Sequence, residues 1–122
     1  MLEIVPGFPE DVVAIRAVGR IARKDYDEVL VPACRAVFEK HGKVRFYYEL
    51  GTAFTGMDAG AMWEDFTFGM GHLMQWAQLV LVTDTAWIAH AVNAFGFLMP
   101  CPVKVFPVSE TAAARALLAE KR

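Results

Sequence analysis

The chain has 122 residues, a formal net charge of −2 and a hydrophobic share of 56%. That length is one domain's worth, residues 1–122. The hydrophobic share exceeds the usual range of about 45–50%, and the charge balance offers no clustered basic face for nucleic acid.

In chain order, Leu2 to Val5 reads as a short edge strand stopped by Pro6, Gly7 and Pro9. Asp11 to Gly19 is β-branched and partly alternating, so it pairs with the first strand as a hairpin. Arg23 to His41 carries an apolar stripe at helical spacing, with carboxylates in its first turn and Gly42 just past its end. Pro32 falls inside that helix and is expected to kink it about a turn earlier. Lys43 to Leu50 (KVRFYYEL) reads as a central strand and Gly51 to Gly56 as a loop.

Met57 to Trp76 (MDAGAMWEDFTFGMGHLMQW) reads as a second helix with Asp58 as its N-cap. Gln78 to Thr83 is a buried strand, and Asp84 caps a helix over Thr85 to Phe97. Val103 to Phe106 is a last strand, and Ser109 caps a final helix that ends near Lys121 and Arg122. The order β-β-α-β-α-β-α-β-α argues an α/β domain with a mostly parallel sheet. The opening hairpin adds an antiparallel edge strand.

Charge is unevenly spread. Eight of the twelve Lys and Arg lie between Arg16 and Arg45, and none lies between Phe46 and Val103, where most of the aromatics are. Phe66 to Thr83 is free of formal charge, but its glutamines, histidine and glycines argue against a membrane span. Two cysteines, Cys34 and Cys101, are too few for a disulfide framework and fit a cytoplasmic setting. The N-terminal residues show no signal-peptide pattern.

The second helix is the unusual element. Met62, Phe66, Met70 and Leu73 line one face, expected to be core, with Trp63 and Met74 at its flanks. Phe68 falls with Ala61, Asp65 and His72 on the face expected to be wet. Met-rich surfaces adapt to varied apolar partners. Gly69 and Gly71 each cost roughly 1 kcal/mol in a helix interior; a gate, close packing on another backbone and simple tolerance all remain open. Trp87 and Phe95 on the next helix could form an opposing wall, while Phe97, Leu98 and Met99 make an apolar tip suited to a membrane or a partner. No metal spacing, nucleophile motif or phosphate-binding loop is present in the sequence, so no catalytic, metal or cofactor residue is assigned.

The words PGFPEDVVAIRAVGRI, KDYDEVLVPA, FTGMDAGAMWED, VTDTAWIAHAV and AFGFLMPCPVKVFP resemble the SpoIIAA-like family, proteins often labelled STAS/SEC14 domain-containing. The resemblance spans almost the whole chain. It implies a five-stranded mixed sheet with four helices, similar to STAS and CRAL-TRIO domains. It also implies a binding role toward an apolar or lipid-like ligand, with membrane association and dimerisation. Anti-anti-sigma factors of STAS type carry a phosphorylatable Ser where this chain reads Asp58-Ala59-Gly60-Ala61, which puts that phosphoswitch in doubt.

The expected function is therefore a non-enzymatic domain that binds a hydrophobic small molecule or lipid. Met62, Trp63, Phe66, Met70, Met74, Trp87 and Phe95 are its candidate pocket or gate. Phe68, Phe97, Leu98 and Met99 are its candidate membrane or partner surface. The protein is expected to be cytoplasmic, with weak peripheral membrane contact, and homodimeric. The alternative is a STAS-type regulatory interaction module that lacks the phosphorylatable Ser.

Overall fold

The computed structural model describes residues 1–119. Its strands are β1 (Leu2–Ile4), β2 (Val12–Ala17), β3 (Gly19–Ile21), β4 (Val44–Leu50), β5 (Phe54–Met57), β6 (Trp76–Thr83) and β7 (Val103–Phe106). Its helices are α1 (residues 23–41), α2 (Ala59–Gly71), α3 (Ala86–Gly96) and α4 (Thr111–Ala119). Five strands join in the order β1-β2-β4-β6-β7. β1 runs antiparallel to β2, with Ile4 opposite Ile15, and the other pairs are parallel. The mixed sheet, its antiparallel edge and its four helices match the element order read from the sequence.

Several local expectations are corrected. The stretch read as a loop at Gly51 to Gly56 contains β5, which pairs with β3 in a separate two-stranded parallel sheet. The second helix stops at Gly71, and Trp76 opens β6 instead of ending the helix. Two of the expected caps use their side chains elsewhere. Asp58 holds the N-cap position of α2, but its side chain pairs with Arg20 and makes no cap hydrogen bond. Asp84 accepts from the Val108 amide at 2.9 Å, which ties the turn before α4 to the end of β6. Thr85 is the N-cap position of α3. Ser109 lies within the short 3-10 turn Val108–Glu110. Lys121 and Arg122 fall outside the described residues.

Where a kink is expected a turn before Pro32, α1 changes its helix type. Residues Tyr26–Leu30 widen into a π-turn, in which the Val31 amide donates to the Tyr26 carbonyl, and regular helix resumes at Val31–His41. A proline ring cannot donate to the turn before it and clashes with the carbonyl four residues back. The widened turn absorbs that clash. Gly42, at φ 78°, closes the helix in a conformation that side chains disfavour.

Alternation along the strands sends side chains to two separate cores. Val13, Ile15, Phe46, Tyr48 and Leu81 pack beneath α1, α2 and α3. Val12, Ala14, Tyr47, Val80 and Val82 pack against Ala114 and Leu118 of α4. Each fully buried aliphatic side chain contributes about 1.5–3 kcal/mol. With both faces covered, all seven residues of β4 are buried, including Arg45 and Glu49. Both charges are paired. Arg45 donates twice to Asp11, at 2.8 and 2.9 Å, and this holds the Asp11 carboxyl below its ordinary value. Arg115 of α4 donates to Glu49 at 2.8 Å and Tyr47 donates to the same oxygen at 2.5 Å. Burial pushes Glu49 upward, but these hydrogen bonds outweigh it and leave the carboxyl below its ordinary value.

Candidate functional site

α2 (AGAMWEDFTFGMG) is apolar nearly all round, so its sequence does not say which side turns inward. Ala61 decides it. This small residue is fully buried and brings the helix close to the core. Phe68 follows on the same side, packed against Phe38 and Trp76 with ring centroids 6.2 and 5.9 Å away. His72 stacks on Phe38 at 4.8 Å. The expected faces are therefore inverted. Met62, Phe66 and Met70, read as core, are 39%, 45% and 46% exposed. Phe68, read as a membrane or partner surface, is half-buried core.

Between α2, α3 and the sheet lies a cavity of about 390 Å³. Met62, Phe66 and Met70 line it from α2, and Trp87, Ile88 and Phe95 from α3. Phe46, Leu79 and Leu81 form part of its floor. Phe66 and Phe95 meet edge to face, 5.9 Å between centroids, and so join the two helices. Gly96 lets α3 approach β7, because an added Cβ there would stand 3.3 Å from Val103. Trp76 closes one end. Its ring packs on Phe38 at 5.3 Å and Phe46 at 5.8 Å, and its indole N–H donates to the Gly69 carbonyl at 2.9 Å.

Of the seven residues expected at a pocket, Met62, Phe66, Met70, Trp87 and Phe95 line the cavity. Trp63 and Met74 do not: they are 64% and 70% exposed, and Trp63 extends the aromatic row outward from Phe66 at 6.2 Å. Of the expected surface residues, Phe97 and Leu98 are exposed at 84% and 60%. Met99 and Phe68 line the cavity instead. An added Cβ at Gly69 or Gly71 would meet nothing within 4 Å, so close packing within the chain accounts for neither glycine.

The cavity also has a polar pole. Tyr26, fully buried in the π-turn of α1, donates to Asp65 Oδ1 at 2.9 Å. Its hydroxyl also lies 3.0 Å from that of Tyr48 on β4. All three residues line the cavity. Asp65 is exposed and lines the hollow. Removal from bulk water raises the Asp65 carboxyl above its ordinary value, opposed by the Tyr26 hydrogen bond. Burial raises both phenols, so each keeps its proton at neutral pH. The neighbouring Cys34 thiol is pushed up to about 12 by burial and by Asp65, which makes it an inert core residue.

Sequence reasoning placed Asp65 on a wet face, where it is indeed exposed, but assigned no functional role to it, Tyr26 or Tyr48. Tyr26 is 22 positions from Tyr48 and 39 from Asp65, so no local motif joins the three. Among the described residues, no helix is long and apolar enough to cross a membrane.

A family model described as SpoIIAA-like matches residues 12–119. Among solved structures, the chain is similar to an uncharacterised protein of the DUF3478 family with a SpoIIAA-like fold from Shewanella loihica PV-4. The TM-score is 0.72, over 96% of this chain and 93% of that one, at 18% identity. A likeness at that identity shows the fold alone. No curated protein matches the chain.

Proposed function

Since the chain belongs to the SpoIIAA-like family, a membership that specifies the scaffold, we propose that this scaffold serves as a non-enzymatic binding domain for a hydrophobic small molecule or lipid-like ligand. The observation that carries the reading is the cavity of about 390 Å³ between α2, α3 and the sheet, lined by Met and aromatic side chains with one polar pole. Ligand pockets have this composition: mostly apolar walls with a few placed polar groups that fix orientation. The volume lies at the small end of the range of about 300–1,000 Å³ found for such pockets.

Phe97 and Leu98 extend the apolar surface beyond the cavity. They supply a site for weak contact with a membrane or with a second copy of the chain. The alternative, a STAS-type regulatory interaction module without the phosphorylatable Ser, would have to work without a phosphoswitch at the start of α2. There Asp58 is engaged by Arg20, and the residues that follow are Ala59, Gly60 and Ala61.

Native mass spectrometry of the purified chain tests the reading. The expected outcome is a retained apolar adduct that organic extraction releases. Protein that is ligand-free in every preparation, and that self-associates through the α2–α3 face, would overturn it in favour of an interaction module.

A further inference from the structure

The polar pole has a proton inventory that restricts what it can recognise. Tyr26 has one O–H and gives it to Asp65. The 3.0 Å contact between the two phenols then runs from the Tyr48 O–H to the Tyr26 oxygen. Both phenolic protons are therefore committed inside the cluster. What remains for a ligand is acceptor capacity: the second oxygen of Asp65 and the lone pairs of Tyr48.

The walls supply no compensating donor of charge. Among the described residues, no Lys, Arg or His lines the cavity. Arg23, which reaches α2 from the start of α1, faces Glu64 at 3.5 Å and Asp27 at 3.8 Å. An anionic head group would meet a carboxylate with no cation beside it. A cationic one would meet a carboxylate within a cavity lined by Phe46, Phe66, Phe68, Trp76, Trp87 and Phe95, whose ring faces attract positive charge.

We infer that the cavity selects apolar molecules whose head group donates hydrogen bonds, above all protonated alkylamines, and discriminates against fatty carboxylates. This rests on the proposed role of the cavity as a binding site. The ligand ammonium donates to the open oxygen of Asp65, while Tyr26 holds the other oxygen in place. The raised carboxyl of Asp65 fits a group that lacks a cation in the ligand-free chain.

The test uses the purified full chain and follows the fluorescence of Trp76 and Trp87, both of which line the cavity. Three probes with one chain length, decylamine, decanol and decanoate, are titrated at neutral pH. Decylamine should bind at least about tenfold more tightly than decanoate, the scale of one charge-assisted hydrogen bond, with decanol between them. Asp65→Asn should bring decylamine to the level of decanol and leave decanol unchanged, with thermal melting confirming that the variant folds. Decanoate binding as well as decylamine would overturn the inference. So would a preference for decylamine that survives in Asp65→Asn. Decanol binding without any preference for the amine sinks the inference alone, whereas failure of all three probes sinks the binding site with it. The wild-type ranking decides the point whether or not the variant folds.

Discussion

On the α4 side of the sheet, Glu49 sits beside Tyr47 and Arg115; on the opposite side, Asp65 sits beside Tyr26 and Tyr48 and faces a hollow. The ingredients are nearly the same, a carboxylate and a phenol, yet the two acids shift in opposite directions. Arg115 and Tyr47 hold Glu49 below its ordinary value, and its site is filled. Asp65 has a phenol but, among the described residues, no paired cation, and it rises. The difference separates a face whose acid is paired within the chain from the face at which we propose a ligand binds. A buried acid with a paired cation is architecture. An acid facing an apolar hollow without one is a candidate for the proposed ligand contact.

Removing the cation from the finished side gives the largest expected effect on stability. Arg115→Met leaves Glu49 buried without its charged partner and should lower unfolding stability by about 2 kcal/mol in chemical denaturation. The partial exposure of Arg115 keeps the loss below the full cost of orphaning a buried charge. An unchanged denaturation midpoint would mean that the Glu49 cluster is not structural.

The carboxylates themselves should respond with opposite signs. Glu49→Gln should cost about 1 kcal/mol at neutral pH, whereas Asp65→Asn should give a smaller rise in stability. The pH dependence follows from linkage. Glu49, lowered in the folded state, stabilises above its unfolded value of 4.5, and this contribution is lost as pH falls through the folded value. Asp65, raised in the folded state, contributes nothing adverse below its unfolded value of 3.8. It destabilises as pH climbs from there through the folded value. Denaturation curves from acid to neutral pH should therefore lose a rise in Glu49→Gln and lose a fall in Asp65→Asn. Shifts of the same sign in both variants would erase the contrast between the two faces.

The smallest effect on stability belongs to the rim. Phe97 is 84% exposed, so Phe97→Ser should leave the melting temperature nearly unchanged. It should reduce co-sedimentation with liposomes. Equal sedimentation of the variant and the parent chain would remove the membrane from the reading of this surface.

The sheet was legible because its signals are local. β-branched and aromatic runs of strand length, bounded by Gly and Pro, mark β2, β4 and β6, and carboxylates with a terminal Gly42 mark α1. The inward side of α2 was not legible, because a helix that is apolar all round takes its orientation from what it packs against. Ala61 fits where Met62 would not, and that depends on the position of α1. Arg45 and Glu49 look like the wet side of an alternating strand. They are inside because Asp11 and Arg115, 34 and 66 positions away, come to meet them. The cavity was half legible. Its Met and aromatic walls follow from composition, whereas its polar pole is assembled from three elements and leaves no spacing to find.

The π-turn of α1 has a geometric consequence. Tyr26, Leu30, Cys34 and Phe38 are all buried, and each is four residues from the next. An ideal α-helix has 3.6 residues per turn, so each step of four overshoots by about 40°. Three steps would carry Phe38 about a third of the way around the helix from Tyr26. The extra residue in the turn at Tyr26–Leu30 takes back part of that drift and keeps the row closer to a straight line along the sheet. Pro32 is thus a phase correction: a residue that makes no contact with the cavity sets the azimuth at which Tyr26 reaches Asp65.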